Sequence, residues 1–525
     1  MANPLTVGEM LTAQARLQPE RIGARDLERT MTFATWNSRA CALANALCDL
    51  GLAKGDRVGV IAFNRLEWVE IYAATAKAGL VAVPVNFRLT PPEVAFILDD
   101  ADVAAVIVED VLLPLLSDVP ARLEAMRQRT IVIGAARSAD RIGYDGLIAA
   151  ADDGEPTTHV GPDDPWCFMY TSGTTGHPKG AIRNHGATAA LSLMTAAEFQ
   201  LSRDDDALLV MPLCHANSLY FFAAFLCCGA AVTIFSRPSF DAPLCLNALA
   251  TLGVTFTSLV PTHYIMMLEA ARTAPVGGDV ATVSKLLVSS APARVETKRA
   301  VMALFPNAGL YELYGSTEAG WVTMLHPDEQ FDHLGTVGRE VIGSAPIRLL
   351  DEDGHEVPDG TPGELFSSSP YAFQAYWNRP DKTDQAFRGN YLSVGDVALR
   401  DSDGFIRLVD RKANMIISGG ENIYPSEVET VLGQHPEVMD VAVIGQPDPL
   451  WGESVAAAVV LIAGATCDEA ALLAWCHPRF AGYKRPRRIL ILTNEDMPRT
   501  ATGKILHRVL RERLAAEPRQ PEKSP

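Results

Sequence analysis

RVGVIAF at 57–63, WVEIYAATAKAG at 68–79, LVAVPVN at 80–86, PEVAFILDDA at 92–101 and AAVIVED at 104–110 follow one another almost without a break. The first, third and fifth are short apolar runs rich in Val and Ile, as buried strands are, and the two between them carry apolar residues at helical spacing. That alternation is the βαβ rhythm of a parallel sheet covered by helices. It begins near Thr32 and returns after residue 206 with ALLVMPL, TFTSLVP and KLLVSSAP, which implies a second, similar layer. From about residue 335 the pattern changes to short strands and turns (IRLLDEDG, GELFSSS, YLSVGDVALRDSDGFIRLVD), the signature of a small β subdomain. Beyond Asn414 a compact mixed region follows: helix YPSEVETVLGQ, strands DVAVIGQ and SVAAAVVLIA, helix DEAALLAWCHP and strand RRILILT. The expected class is therefore α/β, a large N-terminal domain with two parallel-type sheet layers plus a small β subdomain, then a small α+β C-terminal domain. The polar, Pro-containing end of the chain reads as a disordered tail at 517–525.

A chain of 525 residues exceeds one hydrophobic core, so several subdomains and two mobile domains are expected. The net charge of −18 is offset by no long basic block, which argues against nucleic acid or anionic lipid as a general partner. Any anionic ligand must then be held by local donors. The nine cysteines form no CxxC pair and mostly sit among apolar neighbours, as buried free thiols do. With an N-terminus, MANPLTVGEM, that lacks the regions of a signal peptide, this fits a reducing cytoplasm. Leu219 to Phe235, LYFFAAFLCCGAAVTIF, is apolar enough to suggest a membrane span, but Gly229 and the β-branched VTIF after it favour a buried helix followed by a buried strand.

The segment YTSGTTGHPKGA, Tyr170 to Ala181, has the composition of a polyphosphate cradle. Gly173, Gly176 and Gly180 allow close backbone approach, so that successive N–H groups can converge on phosphate oxygens. Thr171, Ser172, Thr174 and Thr175 add hydroxyl donors, and Lys179 adds a mobile positive charge. The order GxxxxGK[ST] of a Walker A loop is absent. A Gly, Ser and Thr cluster can also be a plain turn, although linkers rarely place Pro-Lys-Gly directly before an apolar resumption.

Three further segments follow in order: YELYGSTEAG at 311–320, VGDVALRDSDGFIRLVDRKANMIISGGENIYPSEVE at 394–429 and PRTATGKI at 498–505. Together the four resemble the motif series of the adenylate-forming superfamily, specifically its acyl- and aryl-CoA synthetases, across nearly the whole chain. The resemblance implies an N-terminal AMP-binding domain at 1–410, a hinge at 411–414 and a C-terminal domain at 415–516 that swings between two half-reactions. It implies ATP, Mg²⁺ and coenzyme A, with an acyl adenylate as intermediate. Gly315 permits a tight turn presenting the Ser316 and Thr317 hydroxyls, and Glu318 offers Mg²⁺ a hard carboxylate. The same Ser-Thr-Glu run could equally cap a helix. By similarity, Thr317 contacts the α-phosphate, Glu318 ligates the metal, Tyr314 lies against adenine and Glu312 accepts from its amino group. Ser290, Ala291 and Pro292 would line the opposite face of the base. Asp396, following Gly395 in a strand-ending position, would bind both ribose hydroxyls with support from Arg411; the plainer reading makes Asp396 a turn residue and Arg411 a partner of Asp410. Lys504 would bridge the substrate carboxylate and the α-phosphate, a point charge that can contribute several kcal/mol in a dry site.

The same resemblance places Gly419 and Gly420 beside the pantetheine arm. Relatives usually carry Asp or Lys at the pivot, where this chain has Ala413 followed by Asn414. WGESVAAAVV from Trp451 and YKRPRR at 483–488 suggest CoA as acceptor: Trp451 and Tyr483 can stack on its adenine, and Arg485 and Arg487 can hold its phosphates. A core tryptophan and a solvated basic edge would look alike. His215 and Trp321 fall where relatives shape the acyl pocket, and a large indole there implies a short, medium or aromatic acid rather than a long fatty chain. A homodimer is compatible with this reading. The competing readings are an adenylating enzyme that loads a carrier protein, and a nucleotide-binding partner without activity.

Overall fold

The computed structural model describes residues 6–135, 141–171, 178–273, 280–289, 293–418, 421–499 and 505–516. Contacts divide the chain into two compact units, Met1–Ile347 with Ser367–Val394, and Arg348–Phe366 with Gly395–Pro525.

The opening βαβ rhythm builds one sheet of the first unit. Its seven strands lie in the order Ile142–Gly143, Thr130–Ile133, Val103–Glu109, Arg57–Ile61, Val81–Pro84, Pro165–Thr171, Lys179–Asn184. All neighbours are parallel except the last pair, an antiparallel hairpin. Helix Glu67–Ala78 is buried along its whole length and stops at Gly79, whose φ of 66° lets the chain turn into the next strand. The second layer has nine strands, with Ala231–Ile234, Asp206–Leu209, Phe256–Leu259, Lys285–Ser289 and Gly309–Ser316 parallel in that order. Gly320–Leu325 returns antiparallel to Gly309–Ser316.

The apolar run near residue 220 is a helix, Ala216–Cys228, closed by Gly229 at φ 69°, followed by strand Ala231–Ile234. Its Phe221, Phe222 and Phe225 are wholly buried. Among the described residues, no helix is long and apolar enough to cross a membrane. All nine cysteines are unpaired, and burial pushes the thiols of Cys41, Cys214 and Cys228 up to about 12.

In the second unit Asp396–Arg400 pairs antiparallel with Ile406–Arg411 and with Gly363–Ser368. The strands just before the expected pivot at 411–414 thus pack with the C-terminal region. Long strands Val438–Asp448 and Gly452–Leu461 form the centre of a further sheet, flanked by helices Pro425–Leu432, Glu469–Cys476 and His507–Ala516.

Candidate active site

The segment expected to cradle phosphate is flanked by a hairpin in which Thr171 pairs with Lys179 and Tyr170 with Gly180. A Cβ at Gly180 would come 3.1 Å from the Tyr170 ring, a tight approach that favours glycine. Ser172, Gly173, Thr174, Thr175 and Gly176, between the paired residues, lie outside the described residues. The segment Phe373–Trp377 runs beside Lys179–Asn184, with Trp377 N–H donating to the Gly180 carbonyl at 2.7 Å and Ala181 bridging Tyr376. This places the Tyr376 ring under the Lys179 ammonium, 4.2 Å from nitrogen to ring centroid. Desolvation lowers the Lys179 pKa, because a half-buried ammonium loses water it cannot fully replace.

The second hairpin supplies the acid. Gly315 faces Trp321 and Ser316 faces Gly320, so Thr317, Glu318 and Ala319 form its turn and no helix starts there. Any side chain at Gly315 would put Cβ 2.3 Å from the Gly320 carbonyl oxygen, which explains the glycine. Ser316 Oγ accepts from the Ala319 N–H at 2.9 Å and tightens the turn. Glu318 is 7% exposed, and its Oε1 accepts from Tyr376 OH at 2.7 Å and Thr171 Oγ1 at 3.3 Å. Main-chain bonds fix the turn from beneath. Tyr220 OH donates to the Thr317 carbonyl at 2.7 Å, and Phe373 N–H (2.6 Å) and Arg183 Nη1 (3.3 Å) donate to that of Glu318. Arg183 is wholly buried, with its guanidinium 5.0 Å over the Tyr220 ring. Both described hydrogen bonds to the Glu318 carboxylate end on Oε1, so a hard oxygen donor is presented beside Thr171 and Lys179, a donor set that suits Mg²⁺ next to phosphate.

Farther along the strand, Glu312 is buried and paired with Lys298 of helix Val295–Leu304. Burial raises its pKa, and Lys298 opposes that shift. Tyr314 is half-buried on the same strand. Ser290, Ala291 and Pro292 lie outside the described residues.

Within the second unit, Asp396 opens strand Asp396–Arg400 rather than ending one, after Gly395 at φ 83°. Arg411 lies opposite in register and donates from Nε to Asp396 Oδ1 at 2.9 Å. The ion pair is therefore with Asp396, while Asp410 accepts from the main-chain N–H groups of Arg411 and Ser426. Trp451 is 41% exposed with the Arg487 guanidinium 5.5 Å over its ring, so it is no core residue. Tyr483 is 40% exposed, and Arg485 donates to the Phe480 carbonyl at 2.9 Å. Gly419, Gly420 and Lys504 lie outside the described residues.

Of the two residues expected at the acyl pocket, His215 immediately precedes helix Ala216–Cys228 and is half-buried. Trp321 is buried, its Nε1–H donates to Thr195 Oγ1 at 2.9 Å, and its ring packs edge-on against Tyr220 at 5.2 Å. At the second residue of helix Ala216–Cys228, Asn217 Nδ2 donates to Ser258 Oγ (2.9 Å) and Ser289 Oγ (3.1 Å) at the ends of two parallel strands. Sequence reasoning missed Asn217, Arg183, Tyr220, Lys298 and Tyr376. For Arg183 a signal existed: a charged residue within the apolar strand after Lys179 needs a specific reason to be buried.

A model of AMP-binding enzymes matches residues 11–377, and one of the AMP-binding enzyme C-terminal domain matches residues 427–504. The chain is 35% identical over 512 residues to a feruloyl-CoA synthase of an Amycolatopsis species, covering 97% of this chain and 99% of that protein. It is 34% identical over 518 residues to a long-chain-fatty-acid–CoA ligase of Mycobacterium tuberculosis, with the same two coverages. The solved structure of ATP-bound MatB from Rhodopseudomonas palustris is similar with a TM-score of 0.87 at 28% identity, covering 98% of this chain and 99% of that one. The ordered motifs, the buried acid at the tip of the second hairpin and these end-to-end matches agree: the chain belongs to the AMP-binding enzyme family, within the adenylate-forming superfamily.

Proposed function

We propose that this protein is an ATP-dependent carboxylic acid:CoA ligase that works through an acyl adenylate. The observation that carries the reading is Glu318, held at a hairpin turn by Thr171 and Tyr376 within reach of the phosphate-loop strand. A carboxylate is a poor electrophile for a thiol, so its oxygen first attacks the α-phosphorus of ATP. The bond to the bridging oxygen breaks and pyrophosphate leaves. Thr171, Ser172, Gly173, Thr174, Thr175, Gly176 and Lys179 cradle the departing phosphates, Thr317 contacts the α-phosphate, and Lys504 offsets the charge that builds there. Glu318 would hold Mg²⁺, whose charge neutralises phosphate oxygens. Tyr314 and Ser290 to Pro292 enclose adenine, Glu312 accepts from its amino group, and Asp396 with Arg411 takes the ribose.

The CoA thiol then attacks the acyl carbon, loses its proton, and AMP departs. No protein nucleophile is needed, so positioning and electrostatics do the catalysis. Gly419 and Gly420 let the pantetheine pass, Trp451 and Tyr483 stack on the CoA adenine, and Arg485 and Arg487 take its phosphates. A C-terminal domain swing about 411–414 separates the two steps. The rigid Trp321 wall and His215 favour a short, medium or aromatic acid. Work in a reducing cytoplasm and assembly as a homodimer complete the proposal.

Pyrophosphate release is measured over a panel of carboxylic acids with and without CoA. Release that depends on the acid, with AMP and thioester formed only when CoA is present, supports the ligase. No AMP from ATP with any acid sinks it, and transfer to a phosphopantetheinyl carrier in place of CoA moves it to the carrier-loading reading. Fastest turnover on palmitate removes the Trp321 argument.

A further inference from the structure

Glu312 and Lys298 form a buried ion pair, with Lys298 2% and Glu312 5% exposed. Lys298 Nζ donates to Glu312 Oε2 and, at 3.0 Å, to Gln330 Oε1. Gln330 is itself buried, and its Nε2 donates to the Leu325 carbonyl at 3.2 Å, which fixes which end of the amide meets the lysine. The Ala293 N–H also bonds the Glu312 carboxylate. An ordinary strand position would not maintain a desolvated carboxylate, because burial alone drives such a group to take up a proton and become a donor. Lys298, held in turn by Gln330, opposes that drive by placing an ammonium directly on the carboxylate. A carboxylate oxygen has further lone pairs, so Glu312 can still accept one more hydrogen bond.

We propose that Lys298, oriented by Gln330, sets the choice of nucleobase by holding the Glu312 carboxylate as a pure hydrogen-bond acceptor. The inference rests on the proposed placement of Glu312 beside adenine. Adenine offers a 6-amino donor and is accepted; hypoxanthine and guanine present a 6-oxo acceptor, which meets another acceptor and is rejected. Lys298 touches no substrate and is a positioning residue.

Binding of ATP and of inosine triphosphate to the full-length enzyme is measured by calorimetry, with thermal melting as a check on folding. The wild type is expected to prefer ATP by about 100-fold or more. Lys298→Met and Lys298→Gln should narrow that ratio by about tenfold or more, while Lys298→Arg retains it. Glu312→Gln, whose amide can donate as well as accept, should also narrow it. A narrowed ratio in Glu312→Gln with the wild-type ratio in both neutral Lys298 variants overturns the role of Lys298, leaving a clasp that only supports the fold. A wild-type ratio in Glu312→Gln shows instead that Glu312 does not face the base, and the adenine placement falls with it.

Discussion

Tyr376 joins two residues of the proposed site, with its ring under the Lys179 ammonium and its hydroxyl on the Glu318 carboxylate. Tyr376→Phe keeps the ring and deletes one hydrogen bond to a charged acceptor. Adenylation is expected to slow by about tenfold to a hundredfold, with near-normal melting, in a pyrophosphate-exchange assay. An unchanged rate would show that Thr171 and the main-chain bonds suffice to orient Glu318. Lys504→Ala is expected to abolish adenylation far more than thioester formation from supplied acyl adenylate, read by single-turnover kinetics of each step; equal loss in both would contradict a role confined to the first. At this scale the sequence displayed residues that announce themselves chemically, such as the lone acid after Gly-Ser-Thr. Residues whose meaning comes from a distant partner stayed hidden. Nothing near Tyr376 in the chain predicts that it meets Glu318, and nothing in VETKRAV marks Lys298 as the counter-ion of Glu312.

Elements are fixed to one another by such pairs. Helix His185–Glu198 ends at a buried acid whose Oε1 accepts from the Ile342 N–H at 2.6 Å and whose Oε2 meets His326 Nε2 at 3.1 Å, just past strand Gly320–Leu325. The hydrogen bond to Glu198 raises the His326 pKa. A raised folded value means that the stabilisation is fully present below the ordinary histidine range and is lost as pH rises through the folded value. His326→Gln is therefore expected to cost about 0.5–1 kcal/mol near pH 5.5, discounted for the partly solvated ring, with the gap closing in alkaline buffer. Melting curves across that range would check it, and a pH-independent gap would contradict it. Most elements were legible because the strands are apolar runs bounded by Gly and Pro, while the helices keep their spacing. The Ser-Thr-Glu turn has the composition of a helix cap, and only pairing of its flanks, Gly315 with Trp321, makes it a hairpin. The place of Asp396 was blurred by the same cause, since a strand end and a strand start look alike until the partner strand is known.

At the scale of the molecule, the residues proposed for phosphate and metal belong to the first unit, and those proposed for ribose and CoA to the second. Trp451→Ala should therefore raise the KM for CoA about tenfold in the complete reaction while leaving pyrophosphate release without CoA unchanged. A matching loss in the adenylation step would show that Trp451 supports the fold instead. Domain number and order could be read from length and rhythm, whereas the interleaving of Arg348–Phe366 and Ser367–Val394 between units is invisible along the chain. The unpaired, mostly buried sulfurs have one more consequence. Thiolate is the form that enters exchange reactions, and burial keeps these side chains protonated far above neutrality. An enzyme whose second substrate is itself a mercaptan can thus work in a large excess of that reagent, or of its oxidised dimer, without being trapped as a protein–cofactor adduct.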